Sequence, residues 1–464
     1  MTVGTTPTRR GRRVLALTAT VVLGVGATAA LTGQDNDPQP PPAAVASVAP
    51  LPDRPALLPP PSSDAPTPTG AGLQAVVDVA LADPAIAGRL AVSVVDALTG
   101  EPVYERGATT PLIPASTAKI PTAIAALTAL DPGAGLTTQV VTGARPGDVV
   151  LVGGGDPTLA GPEVAQGYPE PARLTELATG VRTAVGPTAV TRVVVDDSLF
   201  TGERLGPGWR PGYVSGGAVA PVGALMVDGG RVRPDRVARH ADPALAAGEA
   251  LAALLQPGAP VAVERGTAAP GAVVLASVTS PPVPQLVEGM LARSDNDLAE
   301  ALARHVALAQ GRPASFEGAA SAVQEVLAPA LADVGVAPDA VALVDGSGLS
   351  RSNRLQPAAL TRLLAAAGTD DRFAPLLTGL PVAGFDGTLE RRYRTGGGVP
   401  AAGVVRAKTG TLDGVSALAG LVLTADGRLL AFDLTADGVP TGATRGAEAA
   451  LDRLAAALAA CGCP

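Results

Sequence analysis

Lysine is nearly missing from this chain. Of 464 residues 34 are basic, and only Lys119 and Lys408 among them are not arginine. Histidine is as scarce: His240 and His305 are too few for a convincing zinc site and leave a Ser-His-Asp relay little to draw on. No Gly-x-Ser-x-Gly elbow is present. Aromatic residues make up 2%, so a core has to be built from Ala, Val and Leu. The two cysteines, Cys461 and Cys463, stand one residue apart at the C-terminus. That spacing excludes a disulfide framework and leaves a local disulfide and free thiols equally open. Positive charge is in deficit too, and a net charge of −8 argues against a nucleic-acid partner, which would call for a basic face.

What is present begins with an address. Arg9, Arg10, Arg12 and Arg13 precede an uncharged apolar run from Val14 to about Gly33, the pattern of an export signal. The paired arginines also suit a twin-arginine route. Ala27 and Ala29 offer small residues to a signal peptidase, yet a run of roughly twenty residues also has the length of an uncleaved anchor. Residues 1–33 therefore read as a signal peptide or a membrane anchor, and 34–69, dense in Pro and Ala, as an extended linker. The folded part is expected outside the cytoplasmic membrane, in the periplasm or wall, secreted or attached through its N-terminal segment.

That part starts near Gly70 and has the length for two or three domains. Residues 88–105 alternate apolar and polar around a Leu-Thr-Gly-Glu turn, a hairpin signature. Ser116 then opens a helix-forming run, STAKIPTAIAALTAL, with Pro121 inside the first two turns, where proline costs least. Short β-branched runs divided by Gly and Pro fill 136–280 and predict an inserted β-rich domain or domains. Helical periodicity returns from Pro284. The last strands are GVVRAKTG, GVSALAGLVLTA and GRLLAFDLTA, the final two joined at Ala425-Asp426-Gly427, and a helix over about 443–459 ends the chain. This order predicts an α+β fold, helices packed on an antiparallel sheet, formed by 70–135 and 281–464.

The lysines point to the chemistry. A surface charge can be either basic residue, but a desolvated lysine can give up its proton and arginine cannot. Lys119 follows Ser116 by three positions, so the two share a helix face near an N-terminus whose free N–H groups favour an oxyanion. Ser294-Asp295-Asn296 begins a helical stretch, and Lys408-Thr409-Gly410 lies in an apolar strand where glycine lets a substrate backbone approach the edge. Singly, each has an ordinary reading: Ser116 or Asn296 as a helix cap, Lys408 as an edge-strand gatekeeper. Together they form the ordered set Ser-x-x-Lys, Ser-x-Asn, Lys-Thr-Gly. Two lysines scattered over the basic positions would fall on both motifs with odds of roughly one in five hundred.

The chain thus resembles the serine penicillin-binding proteins, and within them the low-molecular-mass D-alanyl-D-alanine carboxypeptidase/endopeptidase family. The resemblance runs from about Gly70 to the C-terminus. It includes Gly155-Asp156-Pro157-Thr158-Leu159, Asp197-Ser198-Leu199-Phe200, Pro207-Gly208-Trp209, Asp345-Gly346-Ser347-Gly348-Leu349-Ser350-Arg351 and Gly387-Thr388-Leu389. Ser116 and Ser294 lie 178 residues apart, which fits the inserted domains of that family better than a β-lactamase.

The resemblance implies a β-lactamase-like transpeptidase fold and cleavage of the D-Ala-D-Ala end of peptidoglycan stem peptides, and of cross-links, through an acyl-serine. It also implies covalent inhibition by β-lactams. Ser116 would be the nucleophile and Lys119, kept neutral by burial and a nearby positive charge, its base. Ser294, close to Lys408, would relay a proton to the leaving nitrogen, and Asn296 would hold the peptide and Lys119. The N–H groups of Ser116 and Thr411 would form the oxyanion hole, while Thr409 and Thr411, flanking Gly410, receive the terminal carboxylate. Asp156 and Arg351 would contact a diaminopimelate side chain. Asp413, where relatives carry a neutral polar residue, would repel its free carboxylate and favour an amidated one. No metal or organic cofactor is expected. A β-lactamase-like hydrolase and a non-catalytic penicillin-binding wall scaffold stay open as alternatives.

Overall fold

A computed structural model of the chain describes residues 61–86, 90–164 and 168–461. The export segment and the linker up to residue 60 lie outside them. Among the described residues no helix is long and apolar enough to cross a membrane. The chain is already tied to the fold before Gly70: Ser62 N–H donates to the Gly427 carbonyl at 3.0 Å, and Arg428 donates to the Ser63 and Ala65 carbonyls.

Helix α1 (Gly70–Leu81), capped by the Thr69 hydroxyl, leads into the hairpin of β1 (Leu90–Asp96) and β2 (Pro102–Arg106). A 3-10 turn, Ala115–Ala118, runs directly into α2 (Lys119–Ala129). The chain then leaves this body for β3 (Thr137–Thr142), β4 (Asp148–Val152), α3 (Leu174–Val185), β5 (Arg192–Asp196), the single turn α4 (Gly212–Ser215), α5 (Pro243–Leu255), β6 (Ala262–Arg265) and β7 (Val274–Thr279). It returns through α6 (Val283–Arg293), α7 (Asn296–Ala309), α8 (Phe316–Asp333), the short pair β8 (Val341–Ala342) and β9 (Arg354–Leu355), α9 (Pro357–Ala367) and α10 (Ala374–Gly379). Strands β10 (Val405–Leu412), β11 (Val415–Leu423) and β12 (Leu429–Asp437) and helix α11 (Thr444–Ala460) complete it.

The main sheet is antiparallel throughout, in the order β10-β11-β12-β1-β2. Because side chains alternate along a strand, Val92, Val94, Phe432 and Leu434 face α1 and α11, while Val95, Ala419 and Ala431 face α2 and the helices around it. Helix α2 is buried on every side from Lys119 to Leu127, as an all-round apolar helix must be. The α+β architecture is the one expected, and β10 is an edge strand.

The insertion departs from a mostly β reading. Its sheet, β6-β5-β4-β3-β7, is mixed, with β4, β5 and β6 parallel, and the crossovers that parallel strands require are α3 and α5. Both helices contain a glycine that reads as a breaker in sequence but is a contact point in the fold. A Cβ on Gly180 would lie 2.8 Å from that of Ala276, and one on Gly248 would lie 2.5 Å from Val195 Cγ1. These helices lie close against the sheet because the glycines have no side chains.

Candidate active site

Ser116 lies in the 3-10 turn and Lys119 one turn on, at the first position of α2. Ala115, just before the serine, is held at φ 49°, a left-handed conformation that costs a non-glycine residue free energy and persists only under tight packing. The packing comes from the 345–350 loop, where Gly348 lies so close that a Cβ would fall 1.9 Å from the Ala115 carbonyl oxygen. The Lys119 ammonium donates to Ser116 Oγ (3.2 Å), Asn296 Oδ1 (2.6 Å) and the Ser347 carbonyl (2.5 Å). Three acceptors meet its three protons. No side-chain capping hydrogen bond serves the turn or α2, so the cap reading of Ser116 does not apply.

The second element comes from the corner between α6 and α7. Ser294 takes φ 55°, ψ 41° at the end of α6, which turns the chain sharply. The cap of α7 is Asp295, whose carboxylate accepts from Leu298 N–H at 3.0 Å. Asn296 is thereby free of capping. Its Oδ1 receives Lys119, and its Nδ2 donates to the Ala218 carbonyl at 2.8 Å, a contact from the inserted segment.

Lys408 reaches from β10 to donate to Ser294 Oγ and to the Thr409 carbonyl, each at 2.8 Å. Along the outer edge of β10, Ala407 N–H donates to the Pro381 carbonyl and Ala383 N–H to the Val405 carbonyl, covering the strand's first half. Backbone groups alternate sides in an antiparallel strand, so those of Thr409 and Thr411 point to the same outer side, beyond the covering segment. Gly410 has a different reason from the one the sequence suggests. A Cβ there would lie 2.7 Å from the Pro114 carbonyl oxygen, so the glycine admits the Ser116 turn itself. The Thr409 hydroxyl donates to Thr388 and the Thr411 hydroxyl to the Glu448 carboxylate, both at 2.8 Å.

Burial lowers the Lys119 pKa to about 8, against the opposing pull of Asp345, Glu300, Asp295 and Asp297. Lys408 is lowered well below its ordinary range, by burial first and then by the charge of Lys119. Of the two causes expected to lower Lys119, burial is the one at work there; the like-charge repulsion is felt at Lys408, while carboxylates surround Lys119.

Of the three remaining candidates Arg351 and Asp413 meet, while Asp156 shares no hydrogen bond or ion pair with either. Asp156 is 2% exposed; its Oδ1 accepts from the Thr158 N–H and hydroxyl, its Oδ2 is buried without a hydrogen-bond partner, and burial raises its pKa to about 6. Arg351 donates instead to the Asp413 carbonyl at 2.7 Å, beside the end of β10. The Asp413 carboxylate is paired with Arg210. Asp413 therefore does not stand alone as the expected repulsion supposes: Arg210 pairs with its carboxylate and Arg351 with its carbonyl.

Glu300 and Arg304 were not singled out from sequence, and the motif residues around Asp345 were given no role there. Asp345 organises the loop that receives Lys119: it accepts from Gly348 N–H, Ser350 N–H, Asn353 Nδ2 and Trp209 Nε1. Behind it the buried pair Glu300–Arg304 supports Ser347, whose N–H donates to Glu300 at 2.9 Å. The available signal was an i, i+4 charge pair inside an apolar helix.

Residues 73–241 and 235–458 match the model of the D-Ala-D-Ala carboxypeptidase 3 (S13) family. The chain belongs to this family. It is 43% identical over 466 aligned positions to carboxypeptidase DacB of Mycolicibacterium smegmatis, with 97% of this chain and 96% of that one covered. To the D-alanyl-D-alanine carboxypeptidase of an Actinomadura species it is 30% identical over 449 positions, covering 78% and 80%. The crystal structure of penicillin binding protein 4 from Haemophilus influenzae shares the fold, with a TM-score of 0.64 at 23% identity over 78% of this chain and 94% of that one. In this member of the carboxypeptidase family, the residues matched by the family model include the inserted segment as well as the main sheet.

Proposed function

We propose that the protein hydrolyses the D-Ala-D-Ala end of peptidoglycan stem peptides outside the cytoplasmic membrane, through an acyl-enzyme on Ser116. The observation that carries this reading is the convergence of Lys119 on Ser116, Asn296 and the Ser347 carbonyl, beside an edge strand with open backbone groups. In this reading the substrate lies along β10. The neutral amine of Lys119 takes the Ser116 proton as Oγ attacks the carbonyl carbon, and the oxyanion meets the N–H groups of Ser116 and Thr411. The proton taken by Lys119 passes by way of Ser294, held by Lys408, to the departing D-Ala nitrogen; water then attacks the acyl carbon, its proton returns to Ser116 Oγ, and the shortened peptide leaves. β-Lactams acylate the same serine. Cross-links ending in the same D-Ala bond are substrates by the same chemistry.

A base with a pKa of about 8 is neutral in about a tenth of molecules at pH 7. The rate of acylation by a penicillin is therefore expected to rise with pH through about 8 and to level above it. A rate independent of pH between 6 and 9 would remove Lys119 from the base role.

The two arginines at Asp413 give the second expectation. Arg351→Ala weakens cleavage of peptides with a free side-chain carboxylate by about 1 kcal/mol, a modest loss because the site is partly solvated. Amidated peptides and penicillin acylation change little. Michaelis constants on the paired peptides check this, and equal losses on all three substrates would make Arg351 a support of the fold.

A further inference from the structure

Beneath Lys119 lies a polar assembly that the chemistry above does not use. The peptide joining Ser347 to Gly348 offers its carbonyl to Lys119 at 2.5 Å and its N–H to Asp345 Oδ1 at 2.9 Å. The preceding peptide gives its N–H, that of Ser347, to Glu300 Oε1 at 2.9 Å. Glu300 is wholly buried, and its other oxygen receives Arg304 Nη1 at 3.2 Å. Arg304, itself 1% exposed, lies over the ring of Phe316, 4.1 Å from its centroid, and two of its nitrogens are buried without hydrogen-bond partners. Such a buried pair is costly to desolvate and is seldom the best choice for stability alone.

We propose that Glu300 is a positioning residue of the acylation step: it fixes the carbonyl that receives Lys119, and its negative charge holds the proton on that lysine until substrate arrives. This rests on the reading of Lys119 as the base. The titratable and charged groups around the lysine are Asp345, Glu300, Asp295, Asp297, Lys408, Arg304 and Arg239. Burial raises the pKa of Glu300 and Asp297 and lowers that of Lys408, while Arg304 and the Ser347 N–H hold Glu300 as the carboxylate and Arg239 pairs with Asp297. Asp295 caps α7 and Asp345 holds four donors. Glu300 is the member that holds the residue carrying the receiving carbonyl and whose charge can be removed while that bond stays, because a glutamine amide oxygen can still take the Ser347 N–H; Asp297 accepts instead from Ala220 N–H.

The sign follows from the geometry. A nearby carboxylate stabilises the ammonium, so neutralising it lowers the pH at which Lys119 becomes a base. Glu300→Gln is expected to move the acid limb of penicillin acylation down by about half a unit or more, whatever happens to the plateau rate. Glu300→Asp keeps the charge and the limb, with a lower plateau from the displaced Ser347 carbonyl. Glu300→Gln leaves Arg304 buried without its partner and is destabilised; the double variant Glu300→Gln/Arg304→Met removes that fault, with methionine between Phe200 and Phe316, and shifts the limb in the same direction by less, because the guanidinium charge is lost with the carboxylate.

The experiment is the pH dependence of acylation by a fluorescent penicillin for the full chain and these three variants. A limb in the same place in the wild type, in Glu300→Asp and in whichever glutamine variant folds overturns the proposal. A wild type without a limb near pH 8 overturns the lysine-base reading instead.

Discussion

Lys119→Arg is expected to lower penicillin acylation by about 10³-fold or more, while Ser116 remains in place. The reasons are chemical and geometric. A guanidinium keeps its proton at any pH the protein tolerates, so no base remains within reach of Ser116 Oγ. The native ammonium also fills a pocket of three converging acceptors, which a planar fork cannot satisfy together. Stopped-flow labelling at pH 7 and pH 9 checks this: the loss should be larger at pH 9, where the wild-type lysine is mostly neutral. Acylation at the wild-type rate would put the base elsewhere.

Gly348→Ala is expected to destabilise the fold by about 3 kcal/mol or more and to abolish acylation with it. Two costs add. At φ +85° any side chain is strained, and this one would meet the Ala115 carbonyl at 1.9 Å, backbone against backbone with nothing flexible to yield. Gly427→Ala is the control. It has a similar φ of +87° but open space around it, so only the conformational cost, about 1 kcal/mol, applies. Urea melts of the two variants should differ by the cost of the clash, and the Gly427 variant should stay active. Equal stability would mean that the loop and the serine turn do not brace each other.

Much of this site was legible because the chemistry restricts residue type. Lys119 and Lys408 stand out against a background of arginine, and Ser116, Ser294 and Asn296 fall at offsets that local structure turns into shared positions. The hairpin at Asp426-Gly427 and the final strands were legible for the same local reason. What was not legible depends on contacts between distant segments. The helices of the insertion were hidden by Gly180 and Gly248, whose role appears only when Ala276 and Val195 lie against them. Asp413 looked like a lone carboxylate because Arg210 lies 203 positions away in sequence. Glu300 and Arg304 are four positions apart on α7, and only the fold shows that the pair is buried beneath Ser347.

The measurement that tests the account most directly is a peptide map of the acylated protein. The full chain is incubated with a penicillin, digested, and the adduct located by mass spectrometry, in parallel with an assay of D-alanine release from a stem pentapeptide. The adduct should fall on Ser116, D-alanine release should fall in proportion to its occupancy, and Ser116→Ala should show neither adduct nor release while remaining folded. An adduct on another residue, or D-alanine release by the Ser116→Ala protein, would contradict the acyl-serine mechanism.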